Sequence, residues 1–330
     1  MKFELKHGGG GEASRKIVEK IKNYLDNEIL SQLDDAGTFN INGATLAFTT
    51  DSFTVKPLFF RGGDIGKLAV TGTVNDLVSM GAQPLFLSLA FIIEEGFSFQ
   101  DFDWILQSVS RTCEKTGVSV ITGDTKVVEK GGADGIFVNT SGVGRILIAP
   151  PPSLSRIEPG DLLIITGTIA EHGASILIER NFPEMESSLE SDCAPLWPAL
   201  KEIFSPAVKF MRDPSRGGLA AVVNEIVQGR NFGVLLEEEK IPLRDEVKAL
   251  CEMLGIDPLS LASEGRMLLV VEAKKGEEIL DTLLKKPEFQ RAAIIGRVTE
   301  ENAGKVVLRT PLGSERLLLM PSGENLPRIC

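Results

Sequence analysis

The sequence has few of the residues that bind zinc or cross-link a small fold. Its four cysteines, Cys113, Cys193, Cys251 and Cys330, include no C-x-x-C pair, and there are two histidines. This scatter indicates neither a zinc site nor a disulfide framework. Cys113 and Cys251 lie in predicted helices, where we expect small, half-buried thiols. Cys330 is the last residue and has no such packing role, although an incidental cysteine at a frayed terminus is the alternative.

Positive charge is also scarce, and long apolar runs are missing. Against 46 Asp and Glu the chain has 35 Lys and Arg, which gives a formal net charge of -11. Such a chain lacks the clustered basic surface that binds nucleic acid. No stretch reaches the roughly 20 apolar residues that cross a bilayer, and the start "MKFELKHGGGGEAS" lacks the apolar core of a signal peptide. We therefore expect a cytoplasmic protein without nucleic-acid or membrane partners.

The rest of the composition predicts a folded chain of two domains. Hydrophobic residues make up 43% of the 330 positions and charged residues 25%, which is typical of a globular protein. Strand-like and helix-like segments alternate except at Pro150–Pro152 and Pro159–Gly160, which together indicate a linker. With about four strands and two to four helices in each half, we predict an α+β fold. The predicted units are residues 1–150, residues 151–310 and a flexible tail at 311–330.

The common nucleotide-binding loops are not met. Around "RGGDIGKL" the Walker pattern fails at both ends, at Arg61 and Leu68. The dinucleotide-binding pattern G-x-G-x-x-[GA] is matched in letters from Gly8 onward, but no strand of sufficient length precedes it. The glycine run Gly8–Gly11 can still present backbone amides to phosphate oxygens. Taken alone, the same run is typical of a flexible terminus.

An Asp inside a buried helix is the clearest functional signal. In "KLAVTGTVNDLVSMGA" the apolar residues cover most of the helix circumference, which predicts a buried helix. Asn75 and Asp76 lie within it, although both are poor helix formers whose burial without partners costs a few kcal/mol. A cation or ligand would supply the partners, so both residues are site candidates. The alternative is a narrow polar stripe that faces water.

Further carboxylates lie at turns and strand ends of the first half. Asp51 closes the run "TLAFTTD" and Asp124 follows "VSVITG", so both are expected near the carboxyl ends of strands. Lys126, two residues beyond Asp124, is expected on the same face of its strand. Asp35 in "LDDAG" and Asp64 in "GGDIG" lie beside turn glycines. These hard oxygen ligands suit Mg²⁺, which usually joins one or two carboxylates to phosphate oxygens.

A second phosphate-binding candidate lies in the other half. In "MRDPSRGG", Arg212, Asp213 and Arg216 precede a predicted helix, and a helix N-terminus can hold phosphate oxygens. The alternative is a helix-capping Asp with a nearby ion pair.

Together, these motifs resemble those of one enzyme family. They are "DDAG", "TTDSF", "GGDIGKLAVTGTVNDLVSMGA", "GDTKVV", "RDPSRGG", "SEGRML" and the final "PRIC". Over essentially its whole length the chain resembles the hydrogenase maturation carbamoyl dehydratases, HypE. That family shares an ATP-binding superfamily with aminoimidazole ribonucleotide synthetase, selenophosphate synthetase and thiamine-monophosphate kinase. The Asp-rich motifs are common to the superfamily and "PRIC" is specific to HypE, while Ser215 replaces the more usual Thr and keeps its hydroxyl.

The resemblance implies an architecture and a set of ligands. It implies the two-domain fold of aminoimidazole ribonucleotide synthetase and a homodimer paired through residues 1–150, with Mg-ATP in a groove at the domain and subunit boundaries. The residues implied for the nucleotide are Asp51, Asp64, Asn75, Asp76, Gly123, Asp124, Lys126, Asp213 and Arg216. Those implied for the metal are Asp35, Asp51, Asp76 and Asp124, with Asp34 an open alternative to Asp35.

The resemblance also gives Cys330 a role. In HypE the carbamoyltransferase HypF loads a carbamoyl group onto the terminal thiol, and the enzyme dehydrates it to a thiocyanate. The cyano group then passes to the HypC–HypD complex and to the iron of [NiFe]-hydrogenase. Because an amide oxygen is a poor leaving group, transfer of the γ-phosphoryl group of ATP to it makes phosphate the leaving group. Glu264 and Lys126 are the implied bases for the N–H protons, and Lys126 is alternatively a phosphate clamp.

Two other functions stay open from the sequence. One is a synthetase of the same superfamily that acts on a diffusible small molecule, which leaves Cys330 without a role. The other is a non-catalytic scaffold that binds nucleotide only to set its shape for partners. ATP turnover that depends on a carbamoylated tail would separate the scaffold from the enzyme.

Overall fold

The computed structural model describes residues 2–322 and 328–330. Its α-helices are α1 (Gly11–Leu25), α2 (Ile65–Ser79), α3 (Phe99–Thr116), α4 (Glu171–Asn181), α5 (Trp197–Leu200), α6 (Gly218–Val227), α7 (Asp245–Leu254) and α8 (Gly276–Leu284). Its strands are β1 (Gly37–Ile41), β2 (Ala44–Phe53), β3 (Phe59–Phe60), β4 (Gly63–Asp64), β5 (Ala82–Glu94), β6 (Ser119–Val128), β7 (Ile136–Ile146), β8 (Leu162–Ile165), β9 (Val208–Arg212), β10 (Gly233–Glu237), β11 (Leu268–Val271), β12 (Ala293–Thr299), β13 (Val306–Arg309) and β14 (Glu315–Leu317).

The first half folds around a five-stranded sheet in the order β1-β2-β7-β5-β6. Strands β5 and β6 run parallel, and the other neighbours run antiparallel. Helix α2 lies against one face and is almost entirely buried, as its apolar residues on all sides predict. The opposite face keeps Phe48, Phe86 and Ile92 exposed, and the edge strand β6 is exposed along nearly its whole length.

The second half is built on a seven-stranded sheet in the order β14-β13-β10-β12-β8-β11-β9. The sequence predicted about four strands here and missed β9, β10 and β14, which are only three to five residues long. The predicted α+β class is confirmed, because each half combines a sheet with helices. Within the described residues, no helix has the length and apolar character needed to cross a membrane.

The two halves share one hydrophobic core. The largest apolar cluster contains Phe53 and Leu68 from the first half, Ile164 and Met267 from the second, and Ile329 from the terminus. Between the halves, the predicted linker is anchored by Arg156, whose guanidinium donates to the carbonyl oxygens of Pro150 and Val208 at 2.9 and 3.1 Å. The halves are therefore positioned firmly enough to form a site between them.

The predicted flexible tail needs correction over much of its length. Strand β14 pairs with β13, and the Leu318 amide donates to the Val306 carbonyl at 3.0 Å. The Pro321 carbonyl accepts from the Glu12 amide at 3.3 Å. Residues 311–322 are thus part of the second half, whereas Pro327 of the terminal motif lies outside the described residues.

Candidate active site

A cleft of about 1210 Å³ lies between the two halves. Helix α1 and the segment that follows it form one wall, and β2 and α2 contribute the floor. The second half contributes Asp213, Arg216 and Glu264, and the chain terminus contributes Cys330. Residues from four distant parts of the sequence therefore meet in one cleft.

Carboxylates concentrate at the floor of the cleft. Burial and the negative charges of Asp213, Asp35 and Asp51 raise the pKa of Asp76 well above its ordinary value. Burial, with repulsion from Asp35 and Asp51, raises the pKa of Asp213 to about 7. Burial also raises the pKa of Asp51, against the opposing charge of Arg216. Because each carboxylate disfavours ionisation of the next, the cluster is suited to a cationic ligand.

The residues present fit a magnesium ion that is shared with phosphate oxygens. Buried Oδ2 of Asp35 has no hydrogen-bond partner among the described residues, and its Oδ1 lies 2.8 Å from Arg212 Nε. In the same described part of the chain, no three His, Cys, Asp or Glu side chains form a group that could hold a metal by themselves. One or two carboxylates for each Mg²⁺ are enough when a nucleotide supplies the other ligands.

Glu264 reaches the cleft from the loop before β11 and is 2% exposed. Its amide donates to Asp192 Oδ1 at 3.0 Å, and its carbonyl accepts from Asn75 Nδ2 at 3.3 Å. Burial, followed by the charges of Asp213 and Asp51, raises the pKa of its carboxyl well above the ordinary value. Buried Oε1 has no hydrogen-bond partner in the described residues. The backbone of Glu264 is thus fixed while one carboxyl oxygen is left for a ligand.

Arg216 is a cation of the cleft that connects the terminus to the glycine run. The pKa of its guanidinium is raised first by the neighbouring Cys330 and then by the carboxylates of Asp51 and Glu264, against the opposing effect of burial. Arg216 Nη1 donates to the Gly8 carbonyl at 3.3 Å. Gly10 has φ +81°, and a Cβ there would lie 2.8 Å from the Arg216 carbonyl oxygen. A side chain at Gly10 would therefore push the glycine run Gly8–Gly11 away from the cleft.

The chain terminus is docked beside these groups. The Thr54 and Lys56 amides donate to the carbonyl oxygens of Cys330 and Arg328 at 3.0 and 3.2 Å. Arg328 Nη1 pairs with Asp134 at 2.6 Å, and the Ile329 side chain is buried. Burial raises the pKa of the Cys330 thiol, while Arg216 lowers it. The docked thiol is therefore neutral at neutral pH.

Two residues predicted to bind nucleotide use their side chains in hydrogen bonds within this chain. Both polar atoms of the Asn75 amide are used, because Nδ2 donates to the Ala194 and Glu264 carbonyls and Oδ1 accepts from the Leu196 amide. Asp64 caps α2 by accepting from the Gly66 and Lys67 amides, and its other oxygen accepts from the Ser108 hydroxyl. Neither residue lines the cleft in the described chain. Asn75 instead fixes the backbone of Glu264.

Gly123, Asp124 and Lys126 lie away from the cleft within this chain. Asp124 is opposite Ala90 and Lys126 is opposite Ile92, which places both on the sheet face opposite α2. Asp51, by contrast, is opposite the buried Thr140 on the α2 face. Lys126 pairs with Asp124 at 2.8 Å, and both side chains are more than half exposed. One chain thus assembles Asp35, Asp51, Asp76, Asp213, Arg216, Glu264 and Cys330, but not the β6 residues.

The residues that hold the terminus carry no recognisable signal in the sequence. Thr54 contacts Cys330, which lies 276 residues away in the sequence. Arg180 Nη2 donates at 2.9 Å to the carbonyl of Arg328, which lies 148 residues away. His172 Nε2 lies 2.6 Å from the Ile329 carbonyl oxygen. Only the scarcity of histidine singles out His172 in the sequence, and that scarcity does not indicate what it contacts.

The pH dependence of stability in an Asp213 variant tests whether the carboxylates of the cleft repel one another. Because its folded pKa of about 7 lies above the ordinary 3.8, ionisation costs stability as the pH rises through this interval. We expect Asp213→Asn to raise the nucleotide-free melting temperature by about 2 °C near pH 8, with a smaller gain near pH 5. Thermal melts at both pH values measure this, with the exposed Asp103→Asn as control. An equal gain at both pH values would contradict the assignment.

Comparison with known proteins first identifies the class that has this fold and cleft. The family description "AIR synthase related protein, N-terminal domain" matches residues 33–146, and its C-terminal counterpart matches residues 158–309. Thiamine monophosphate kinase of Aquifex aeolicus shares the fold with a TM-score of 0.69 at 20% identity, over 91% of this chain and 97% of that one. The chain is thus an AIR synthase-related protein.

Within this class the similarity to one family is much stronger. Carbamoyl dehydratase HypE of Rhodobacter capsulatus is 45% identical over 332 residues, which cover 99% of this chain and 97% of the relative. HypE of Escherichia coli is 38% identical over 335 residues, covering 99% of each chain. A solved HypE in complex with ATP has a TM-score of 0.83 at 40% identity over 100% of both chains. A solved HypE–HypF complex has a TM-score of 0.88 at 42% identity, over 92% of this chain and 99% of that one. The chain belongs to the carbamoyl dehydratase HypE family.

Proposed function

We propose that this chain dehydrates a carbamoyl group carried on Cys330 to a thiocyanate, at the expense of ATP. The observation that supports this most directly is the docked terminus, which places the Cys330 thiol in the cleft that holds the carboxylates, Arg216 and Glu264. A synthetase for a diffusible substrate has no use for its own terminus in that position. Solved relatives in complex with ATP and with HypF support the choice of cofactor and carbamoyl donor.

The first chemical step activates the carbamoyl oxygen. That oxygen attacks the γ-phosphorus of ATP, the bond to the bridging oxygen breaks, and ADP leaves. One or two of the carboxylates of Asp35, Asp51, Asp76 and Asp213 would hold each Mg²⁺, which would neutralise the phosphate charge. Arg216 and the backbone of Gly10 and Gly11 line the cleft, where they would contact phosphate oxygens. This step turns a poor leaving group into phosphate.

The second step forms the C≡N bond. Both N–H protons leave the nitrogen, its electron pairs form the triple bond, and phosphate departs from carbon, so that Cys330 carries –S–C≡N. Glu264 is the base that this chain offers, since its Oε1 is unpaired among the described residues and it lies in the cleft with Cys330. Nearby cations favour the ionised form of the Glu264 carboxyl, which is the form that accepts a proton. Arg216 already acts in this direction, because its charge lowers the pKa of Glu264.

A homodimer would complete the site. The exposed sheet face and the edge strand β6 offer Phe48, Phe86, Ile92 and Ile121 to a second copy of the chain. Asp124 and Lys126 lie on the same face, so pairing of the two sheets would bring them to the cleft of the other subunit. Lys126 would then act there as a second base or as a phosphate clamp, and Asp124 as a further metal ligand.

The terminus also fits exchange with protein partners. We propose HypF as the carbamoyl donor and the HypC–HypD complex as the acceptor of the cyano group, with all of these steps in the cytoplasm. Undocking of residues 328–330 would expose Cys330 to either partner, and docking would return it to the cleft.

Mass spectrometry of the intact protein tests the proposed function. After incubation with HypF, carbamoyl phosphate and ATP, we expect the mass to rise by one carbamoyl group. In the same ATP-containing mixture the adduct should then lose one water, with one ADP formed for each water lost. An adduct that keeps its oxygen while ATP is consumed would contradict the proposal, and a chain that forms no adduct would favour a synthetase or a scaffold.

A further inference from the structure

His172, near the start of α4, contacts the terminus directly and has no exposed surface. Its Nε2 lies 2.6 Å from the Ile329 carbonyl oxygen, and its Nδ1 lies 2.8 Å from Ser191 Oγ. A carbonyl oxygen can only accept, so Nε2 carries the hydrogen and Nδ1 accepts from the serine hydroxyl. Burial lowers the pKa of His172 to about 4, so this neutral tautomer is the form present at neutral pH.

The ring is held on every side. Ser191 Oγ also accepts from the Cys193 amide at 3.0 Å, and the Ser191 amide donates to the Arg61 carbonyl at 2.8 Å. Phe60 packs against the imidazole edge to face, with 5.4 Å between the ring centroids. The donor on Nε2 is therefore preorganised before the terminus docks, and its direction is set by both halves of the molecule.

The position of the accepting carbonyl makes this contact special. The Ile329 carbonyl belongs to the peptide bond that joins Ile329 to Cys330, so a fixed donor sets the plane of that bond. This plane fixes the position of Cys330 Cα, and the contacts of Thr54 with the Cys330 main-chain oxygen limit rotation about the next bond, so that together they direct the side chain. The preceding residue, Arg328, has φ +61°, a conformation unfavourable for a residue with a side chain, so the docked end needs such contacts to hold it.

We infer that His172 is a positioning residue that fixes the last peptide bond and thereby aims the Cys330 thiol, and any group it carries, at Glu264 and the phosphate site. The catalytic part of this inference rests on the proposed function. The docking part, that His172 holds the thiol in the cleft, does not depend on it. His172 acts only through the Ile329 carbonyl and takes no part in proton transfer.

The docking part is tested by the rate at which iodoacetamide labels Cys330, followed by the mass of the C-terminal peptide. His172→Phe keeps a buried ring but removes the donor, and we expect labelling to become about tenfold faster, as for loss of one hydrogen bond. His172→Gln retains an amide N–H near the Nε2 position and should restore most of the protection. Ser191→Ala, which removes the partner of Nδ1, should give a smaller increase and provides a second variant if the first does not fold.

The catalytic part is tested on the same variants after loading. We expect His172→Phe to accept the carbamoyl group at the parental rate or faster, since loading uses the undocked terminus, and to lose water about tenfold more slowly in a single turnover. His172→Gln should recover the water-loss step. The control is Leu283→Ala, a buried truncation on α8 that should lower stability without changing either rate.

Each outcome has a distinct meaning. Parental labelling and water loss in His172→Phe would overturn the inference, and so would equal changes in Leu283→Ala, because the effect would then follow stability alone. If the parent itself forms no thiocyanate, the proposed function fails, while the labelling rates still decide whether His172 fixes the terminus.

Discussion

Cys330→Ala will form no carbamoyl adduct and no thiocyanate, and it will still bind Mg-ATP. The carboxylates and Arg216 do not depend on the sulfur, and the terminus is held mainly by its main chain, Arg328 and Ile329. We therefore expect unfolding stability to change by only about 0.5 kcal/mol. Intact-mass spectra after incubation with HypF, carbamoyl phosphate and ATP, beside nucleotide-binding titrations, measure both results. An adduct on the Ala variant at the parental level would remove Cys330 from the reaction.

Extension of the chain beyond Cys330 provides a matched variant that keeps the thiol. The terminal carboxyl oxygen accepts from the Thr54 amide at 3.0 Å and from the Thr54 hydroxyl at 3.3 Å. Added residues would move the terminal charge and place extra backbone where the end docks. We expect such a chain to accept the carbamoyl group and to lose water much more slowly. Parental rates of water loss would show that the free terminus is not required.

Mixed dimers will regain activity that neither parent variant has. Glu264→Gln removes the base of one chain, and Lys126→Ala removes the side chain that we propose the other subunit supplies. When the two variants are mixed and exchanged, half of the dimers contain one intact site, so about a quarter of all sites should form thiocyanate. Mass spectrometry of the mixed sample measures this fraction against the two unmixed variants, which should stay at the carbamoyl stage.

The pair Glu264→Gln and Cys330→Ala is the matched control for subunit mixing. Both residues line the cleft of one chain, so mixed dimers of this pair contain no intact site and should stay inactive. Recovery there as well would indicate exchange of termini between subunits. If the mixture of Glu264→Gln and Lys126→Ala recovers no activity, Lys126 and Glu264 act in the same subunit's site. If Lys126→Ala is active by itself, Lys126 is dispensable.

Much of the architecture follows from local sequence patterns. The all-round apolar pattern predicted that α2 is buried, and the structure buries it against the first sheet. The alternation of β2 carries Asp51 to the same face of the sheet as Thr49 and Phe53. Strands β9 and β14 were missed because charged residues interrupt them, so that neither forms the continuous apolar run of β8 and β11.

The sequence by itself determined the α+β class, the family and most of the acidic cluster, since these depend on periodicity and motifs within single segments. Only the tertiary structure decided that the Asn75 amide bonds backbone groups 119 and 189 residues away and does not line the cleft in the described chain. It also decided that Asp124 and Lys126 lie on the opposite sheet face from Asp51, and that His172 and Thr54 hold the terminus. The physical reason is that strand register and long-range hydrogen bonds are fixed by how distant segments pack, which local patterns do not encode.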